Sequence, residues 1–157
     1  MFKKLLYTNP KFFNKLYNIL FGMKEEERTK VLKVLEKCES FTSGEDKLAE
    51  IQKIITQFGS DAEVQQMMAM LVALGNPDRM LILFALKEQD RCVCELELLL
   101  DKTQPAVSHH LKRLEEVNLI RGWKKGKFTH YSLVESSFNS LIQSMEKWMK
   151  SVKNWFG

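Results

Sequence analysis

Residues 103–118 read TQPAVSHHLKRLEEVN, and this stretch decides the fold. At 3.6 residues per turn Val107, Leu111 and Leu114 fall on one stripe, which predicts an amphipathic helix. The opposite face carries Pro105, His109 and Lys112, flanked by Ser108 and Arg113. Thr103 is placed to cap it, its hydroxyl free to accept a first-turn N–H. Pro105 falls in the first turn, where a missing N–H costs little. One face of this helix packs and the other displays donors and cations. That division suits the major groove of a nucleic-acid duplex, with the first turns near base edges.

The residues downstream agree. In LIRGWKKGKFTHYSL (119–133) two short strands are predicted, at 119–123 and 128–133. Lys124, Lys125, Gly126 and Lys127 form the turn, with Gly126 free to take a positive φ. Three lysines at a hairpin tip suit phosphate contact. From Asp101 to Tyr131 seven cations stand against three anions, a local excess of +4 that equals the net charge of the whole chain. The charge is therefore concentrated on one helix-and-hairpin surface. Gln104, Ser108, His109, Lys112 and Arg113 on the helix, with Lys124, Lys125 and Lys127 on the hairpin, form the expected contact set for double-stranded DNA. His110 sits nearer the packed face and reads equally well as a helix-packing residue. His130 alternates with Thr129 and Tyr131 on the second strand.

The rest of the 157-residue chain fits one or two small helical domains: 45% of residues are hydrophobic, with only three prolines and seven glycines. Three cysteines, an odd number, favour reduced thiols in a cytoplasmic protein over a secreted disulfide framework. MFKKLLYTNPKFF at the start has no sustained apolar segment and no small-residue cleavage site, so no signal peptide is expected. No apolar run is long enough to span a bilayer, and no membrane partner is expected. Neither a glycine-rich phosphate loop, a metal-hydrolase helix motif nor a nucleophile elbow is present, which argues against an enzyme.

In chain order, helices are predicted at 10–21, 25–40 and 45–58, the last capped by Ser43. They form a helical N-terminal extension over residues 1–60. Residues 61–157 form the main domain. Asp61 caps a helix carrying Val64, Met67, Met68, Leu71 and Leu74. Asn76 and Pro77 start another, with Met80, Leu81, Leu83, Phe84 and Leu86. A short helix over 91–100 turns Leu96, Leu99 and Leu100 inward and leads into the helix at 103–118. The expected architecture is mainly α: a winged helix-turn-helix with a two-stranded β-hairpin wing and a long C-terminal helix. On that last helix Phe138, Leu141, Ile142, Met145, Trp148, Met149, Val152 and Trp155 make one apolar stripe. The winged module has its own core, so a second copy of the chain is the economical cover, giving a homodimer.

Four blocks, LGNPDRMLILFAL, CVCELELLL, QPAVSHHLKRLEEVNLI and RGWKKGKFTHYSL, resemble the ArsR/SmtB family of repressors in order and spacing, over 61 to about 155. The resemblance implies a winged-helix homodimer, joined through its first and last helices, that binds operator DNA and releases it when an inducer binds. It also implies a role for Cys92-Val-Cys94. In metal-sensing members a Cys-Val-Cys here holds arsenite, antimonite, cadmium or lead, and soft thiolates suit such ions. A first-turn position also favours the thiolate. The third cysteine of the arsenic-sensing pattern is replaced by Glu97. The cadmium- and lead-sensing branch borrows cysteines from the partner's N-terminal region, which would make Cys38, Cys92 and Cys94 the ligands. The zinc pattern needs histidine on the last helix, and none is there. On a regular helix residues i and i+2 lie about 200° apart, so both sulfurs can meet one ion only if the helix start is distorted. Alternatives are a dithiol redox-responsive regulator, plain buried cysteines, or a winged-helix module that docks proteins and senses no metal.

Overall fold

The computed structural model describes residues 19, 22–37 and 43–153. It divides into two compact units, with the division between Gln65 and Gln66.

The first unit contains α1 (Glu25–Glu36) and α2 (Gly44–Ser60). Three glutamates in the first turn of α1 complement the positive end of its dipole. Ser43 caps α2, its hydroxyl accepting the Asp46 N–H at 3.1 Å. A Cβ at Gly44 would sit tightly against α1, 3.2 Å from Glu36 Cγ and 3.3 Å from the Leu32 carbonyl oxygen. Leu48 is the buried anchor of α2. The helix expected at 45–58 thus runs longer, with Gly59 inside it. The helix expected at 25–40 is described only to Glu36, and the helix expected at 10–21 lies outside the described residues, as does Cys38.

Helix α3 (Ala62–Leu74) runs across the division, its free Val64 N–H bonded to the Asp61 carboxylate at 3.1 Å. The second unit continues with α4 (Pro77–Glu88), β1 (Arg91–Cys92), α5 (Val93–Leu100), α6 (Gln104–Glu116), β2 (Ile120–Lys125), β3 (Phe128–Leu133) and α7 (Glu135–Lys153). The chain bends by 94° between α3 and α4. Asn76 accepts the Arg79 N–H, and the Arg79 guanidinium turns back to donate to the carbonyls of Val72 and Ala73 at the end of α3. The three strands are antiparallel in the order β1-β3-β2. Among the described residues no single helix is long and apolar enough to cross a membrane.

Val107, Leu111 and Leu114 of α6 are fully buried, as their spacing predicts, against Met70, Ile82, Leu96, Leu119 and Ile120. Each such side chain contributes about 1.5–3 kcal/mol on burial, which pins the face of α6 that must turn inward. The mainly α winged helix-turn-helix is therefore the architecture of this unit. Three details differ from the reading of the sequence. Residues 91–92 form a third strand instead of opening a helix, because Cys92 is extended (φ −76°, ψ 161°) and pairs with β3. Leu99 is exposed, and Met68 is exposed while Met70 and Ala73 take the buried side of α3. The hairpin turn is only Gly126-Lys127, with Lys124 and Lys125 still in the strand and Gly126 at φ +62°. On α7, by contrast, Ser137 and Leu141 are buried while Ile142, Met145, Trp148 and Met149 are exposed, so most of the apolar stripe is left uncovered by its own unit, in line with the reading of the sequence.

Candidate nucleic-acid interface and cysteine turn

Helix α6 begins after Asp101, a left-handed residue at φ +50° that ends α5 and turns the chain. Thr103 is its N-cap by backbone geometry, yet its hydroxyl makes no capping bond. With Val107, Leu111 and Leu114 inward, Gln104, Ser108, His109 and Lys112 are exposed and Arg113 is half-buried. Arg113 is paired with Glu116 at 3.1 Å. Of the wing lysines, all three are exposed, and Lys124 donates to the Thr129 hydroxyl at 2.8 Å. The wing is fixed to α6 by the Gly122 N–H, which donates to the Glu115 carboxylate at 3.2 Å. A Cβ there would crowd the Tyr131 ring at 3.1 Å and Glu115 Oε1 at 3.2 Å, so a larger residue would have to displace those side chains by a few tenths of an ångström. Burial, and then the Glu115 charge, push the Tyr131 phenol pKa up.

His110 belongs to the scaffold. Its Nε2 lies 3.3 Å from Asp78 Oδ2 on α4, and Lys102 Nζ lies 3.1 Å from the same oxygen. Its Nδ1 is buried without a hydrogen-bond partner. Burial dominates and lowers the imidazole pKa. Asp78 works against this, while Arg79, Lys102 and His109 add to it. The lowered pKa favours the neutral imidazole; Nε2 is the nitrogen that faces the carboxylate, and Nδ1 has no acceptor for a second proton. A folded pKa below the unfolded one makes the unfolded chain bind more protons as pH falls. The stabilisation is full above the unfolded value of about 6.5 and is lost as pH drops through it toward the folded value. Urea midpoints measured at pH 7.5 and pH 5 should therefore fall further for the natural chain than for His110→Gln.

At the other end of the helix-turn-helix, Cys92 and Cys94 are joined as a disulfide, with Cα atoms 5.4 Å apart. The distortion that helical geometry demanded takes a simple form. Cys92 lies outside the helix, as N-cap of α5 and last residue of β1, so the 200° separation never applies. The cap is reciprocal: the Cys92 N–H donates to Glu95 at 2.7 Å, and the Glu95 N–H points at Cys92 Sγ at 3.4 Å. That backbone N–H holds the Glu95 carboxyl below its ordinary pKa range, with Arg91, 3.1 Å away, adding to the effect. Cys92 is buried and Cys94 exposed. Asp90, Trp123 and the stacking role of His130 were missed in the sequence. The spacing of Cys92 and Glu95, a cap residue and an acid three positions later, was the available signal. Among the described residues no group of three or more His, Cys, Asp or Glu side chains is placed to hold a metal ion.

Residues 76–121 match the model of the bacterial regulatory protein arsR family. That span starts at the cap of α4 and takes in the cysteine turn, α6 and the first residues of the wing. The chain is 33% identical over 76 residues to an uncharacterized HTH-type transcriptional regulator of Methanocaldococcus jannaschii, covering 48% of this chain and 85% of that one. It is 35% identical over 71 residues to the arsenical resistance operon repressor of Bacillus subtilis, covering 45% of this chain and 68% of that one. To a homologue of the transcriptional repressor SmtB from Synechocystis it is 29% identical over 98 residues, 62% of this chain and 74% of the relative. An ArsR-like transcriptional regulator from Rhodococcus shares the fold, with a TM-score of 0.54 and 21% identity over 58% of this chain and 86% of that one. With the packed face of α6 turned inward, its polar face turned out and a cationic wing beside it, the chain belongs to the arsR family of winged helix-turn-helix, DNA-binding transcriptional regulators.

Proposed function

We propose that the protein is a homodimeric repressor that reads an operator with α6 and grips phosphates with the wing. The state of Cys92 and Cys94 governs that grip. The observation that carries the reading is the exposed set Gln104, Ser108, His109 and Lys112 on the helix that follows the turn, opposite three fully buried aliphatic residues. A protein-docking surface would favour apolar residues there. The exposed Ile142, Met145, Trp148 and Met149 on α7 support pairing of two copies, since one helix face of that kind needs cover. A two-fold pair would set two α6 helices about 34–36 Å apart, one DNA turn.

Two chemistries compete at the cysteines. The Bacillus relative is named for arsenical resistance, and two thiolates suit a thiophilic ion such as arsenite, antimonite, cadmium or lead. Cys92 and Cys94 would supply two ligands, and Cys38 of the partner is the candidate third. The disulfide favours the second chemistry, a dithiol switch, because it brings both sulfurs together without any ion. The test is a fluorescence-anisotropy titration of duplex from upstream of the chain's own coding sequence. The expected result is nanomolar binding, two protomers per site, and an affinity altered by dithiothreitol or arsenite. No preference over scrambled duplex would overturn the DNA reading.

A further inference from the structure

Cys92 has two structural roles at once. It caps α5, and it is half of β1, the two-residue edge strand of the sheet. Through the ladder it stands opposite His130 on β3, and His130 stands opposite Trp123 on β2. Directly opposed residues in antiparallel strands project to the same face, with Cβ atoms about 4.5–5.5 Å apart. Cys92, His130 and Trp123 therefore form one row across the sheet. The imidazole and indole stack, with centroids 5.0 Å apart and planes at 27°. The far end of the row is tied back: the Trp123 indole N–H donates to Asp90 at 3.0 Å, the residue just before β1. Residues 90–92 thus hold the wing by a short ladder and one hydrogen bond, and the aromatic stack within the wing links the two.

We propose that the wing is the element that reads out the state of the Cys92–Cys94 pair, through the Cys92–His130–Trp123 row and its Asp90 tie. This deepens the regulatory reading above and rests on it. A two-stranded hairpin is marginal by itself, so the third strand adds to the Gly122–Glu115 bond and the core contacts in holding the wing. That third strand is two residues long, and one of them is the switching cysteine. Dithiothreitol supplies two electrons and two protons, the Cys92–Cys94 bond breaks to two thiols, and the reagent leaves as its cyclic disulfide. Cys92 is then released from the bond that fixes its side chain. Its backbone regains freedom at the one residue shared by cap and ladder, and the ladder frays. The wing carries Lys124, Lys125 and Lys127, so the loss falls on phosphate contacts, while the α6 face, anchored by core residues, keeps its reading geometry.

Hydrogen exchange on the full chain, oxidised and then reduced with dithiothreitol, tests this, with duplex binding measured on the same samples. Reduction is expected to lower protection in residues 120–133 about tenfold, to change residues 104–116 less than twofold, and to flatten the salt dependence of duplex binding. Cys92→Ser with Cys94→Ser should abolish the response. His130→Ala should retain duplex binding but lose the effect of dithiothreitol on the salt slope. If affinity changes on reduction while the wing's protection does not, or residues 104–116 change as much, the wing proposal is overturned and the cysteine switch survives. If affinity is indifferent to reduction, the dithiol switch falls and this proposal falls with it.

Discussion

Ser108→Ala, His109→Ala and Lys112→Ala, combined in one protein, should reduce the preference for operator over scrambled duplex by about 100-fold or more. A good base contact discriminates by about 1–3 kcal/mol, so two of the three reaching base edges at about 1.4 kcal/mol each give that loss. All three side chains are exposed and sit opposite Val107, Leu111 and Leu114, so the urea midpoint should stay within a small shift of the natural value. Competition titration with both duplexes at one salt concentration reads the ratio. A variant that keeps the full preference would mean that α6 does not read bases.

The complementary expectation concerns Lys124→Ala, Lys125→Ala and Lys127→Ala together. These residues are the proposed phosphate contacts, and each neutralised phosphate adds about 0.9 to the slope of log affinity against log salt. Removing three per protomer should flatten that slope by about 2.7. Between 50 and 200 mM salt the variant should then lose about forty-fold less affinity per protomer than the natural chain. Operator preference should barely move, because phosphate contacts carry no sequence information. Among the single variants, Lys124→Ala should change the slope least, because Lys124 is already engaged by Thr129. An unchanged slope in the triple variant would remove the wing from the DNA-binding surface.

The buried and exposed faces of α6 were legible in the sequence because they follow from period. Val107, Leu111 and Leu114 repeat at helical spacing, and nothing competes with that stripe for the core. Strand β1 was not legible, because two residues display no alternation and its partner lies 38–40 positions away. The same blind spot affected the cysteines. A helical wheel drawn through Cys92 and Cys94 presumes that both are in the helix, and the cap at Cys92 breaks the premise. On α3, nearly every position is apolar, so periodicity cannot choose between Met68 and Met70, and packing against the neighbouring helices decides. Leu99 was assigned inward for the same reason, in a helix whose last three residues are all leucine.

One joint in the second unit carries a further consequence. Asn118 ends the turn after α6 with φ +58°, and its side-chain amide donates to the buried Ser137 hydroxyl in the first turn of α7, 3.0 Å away. A replacement here must supply both a left-handed backbone and a donor: glycine offers only the first, and glutamine is built for only the second. The proposed DNA-reading helix α6 is therefore hinged to α7, the proposed pairing helix, through this side-chain bond. In a pair built on α7, this single amide would set the pitch of each reading head, and so the base-pair count between half-sites that the pair accepts.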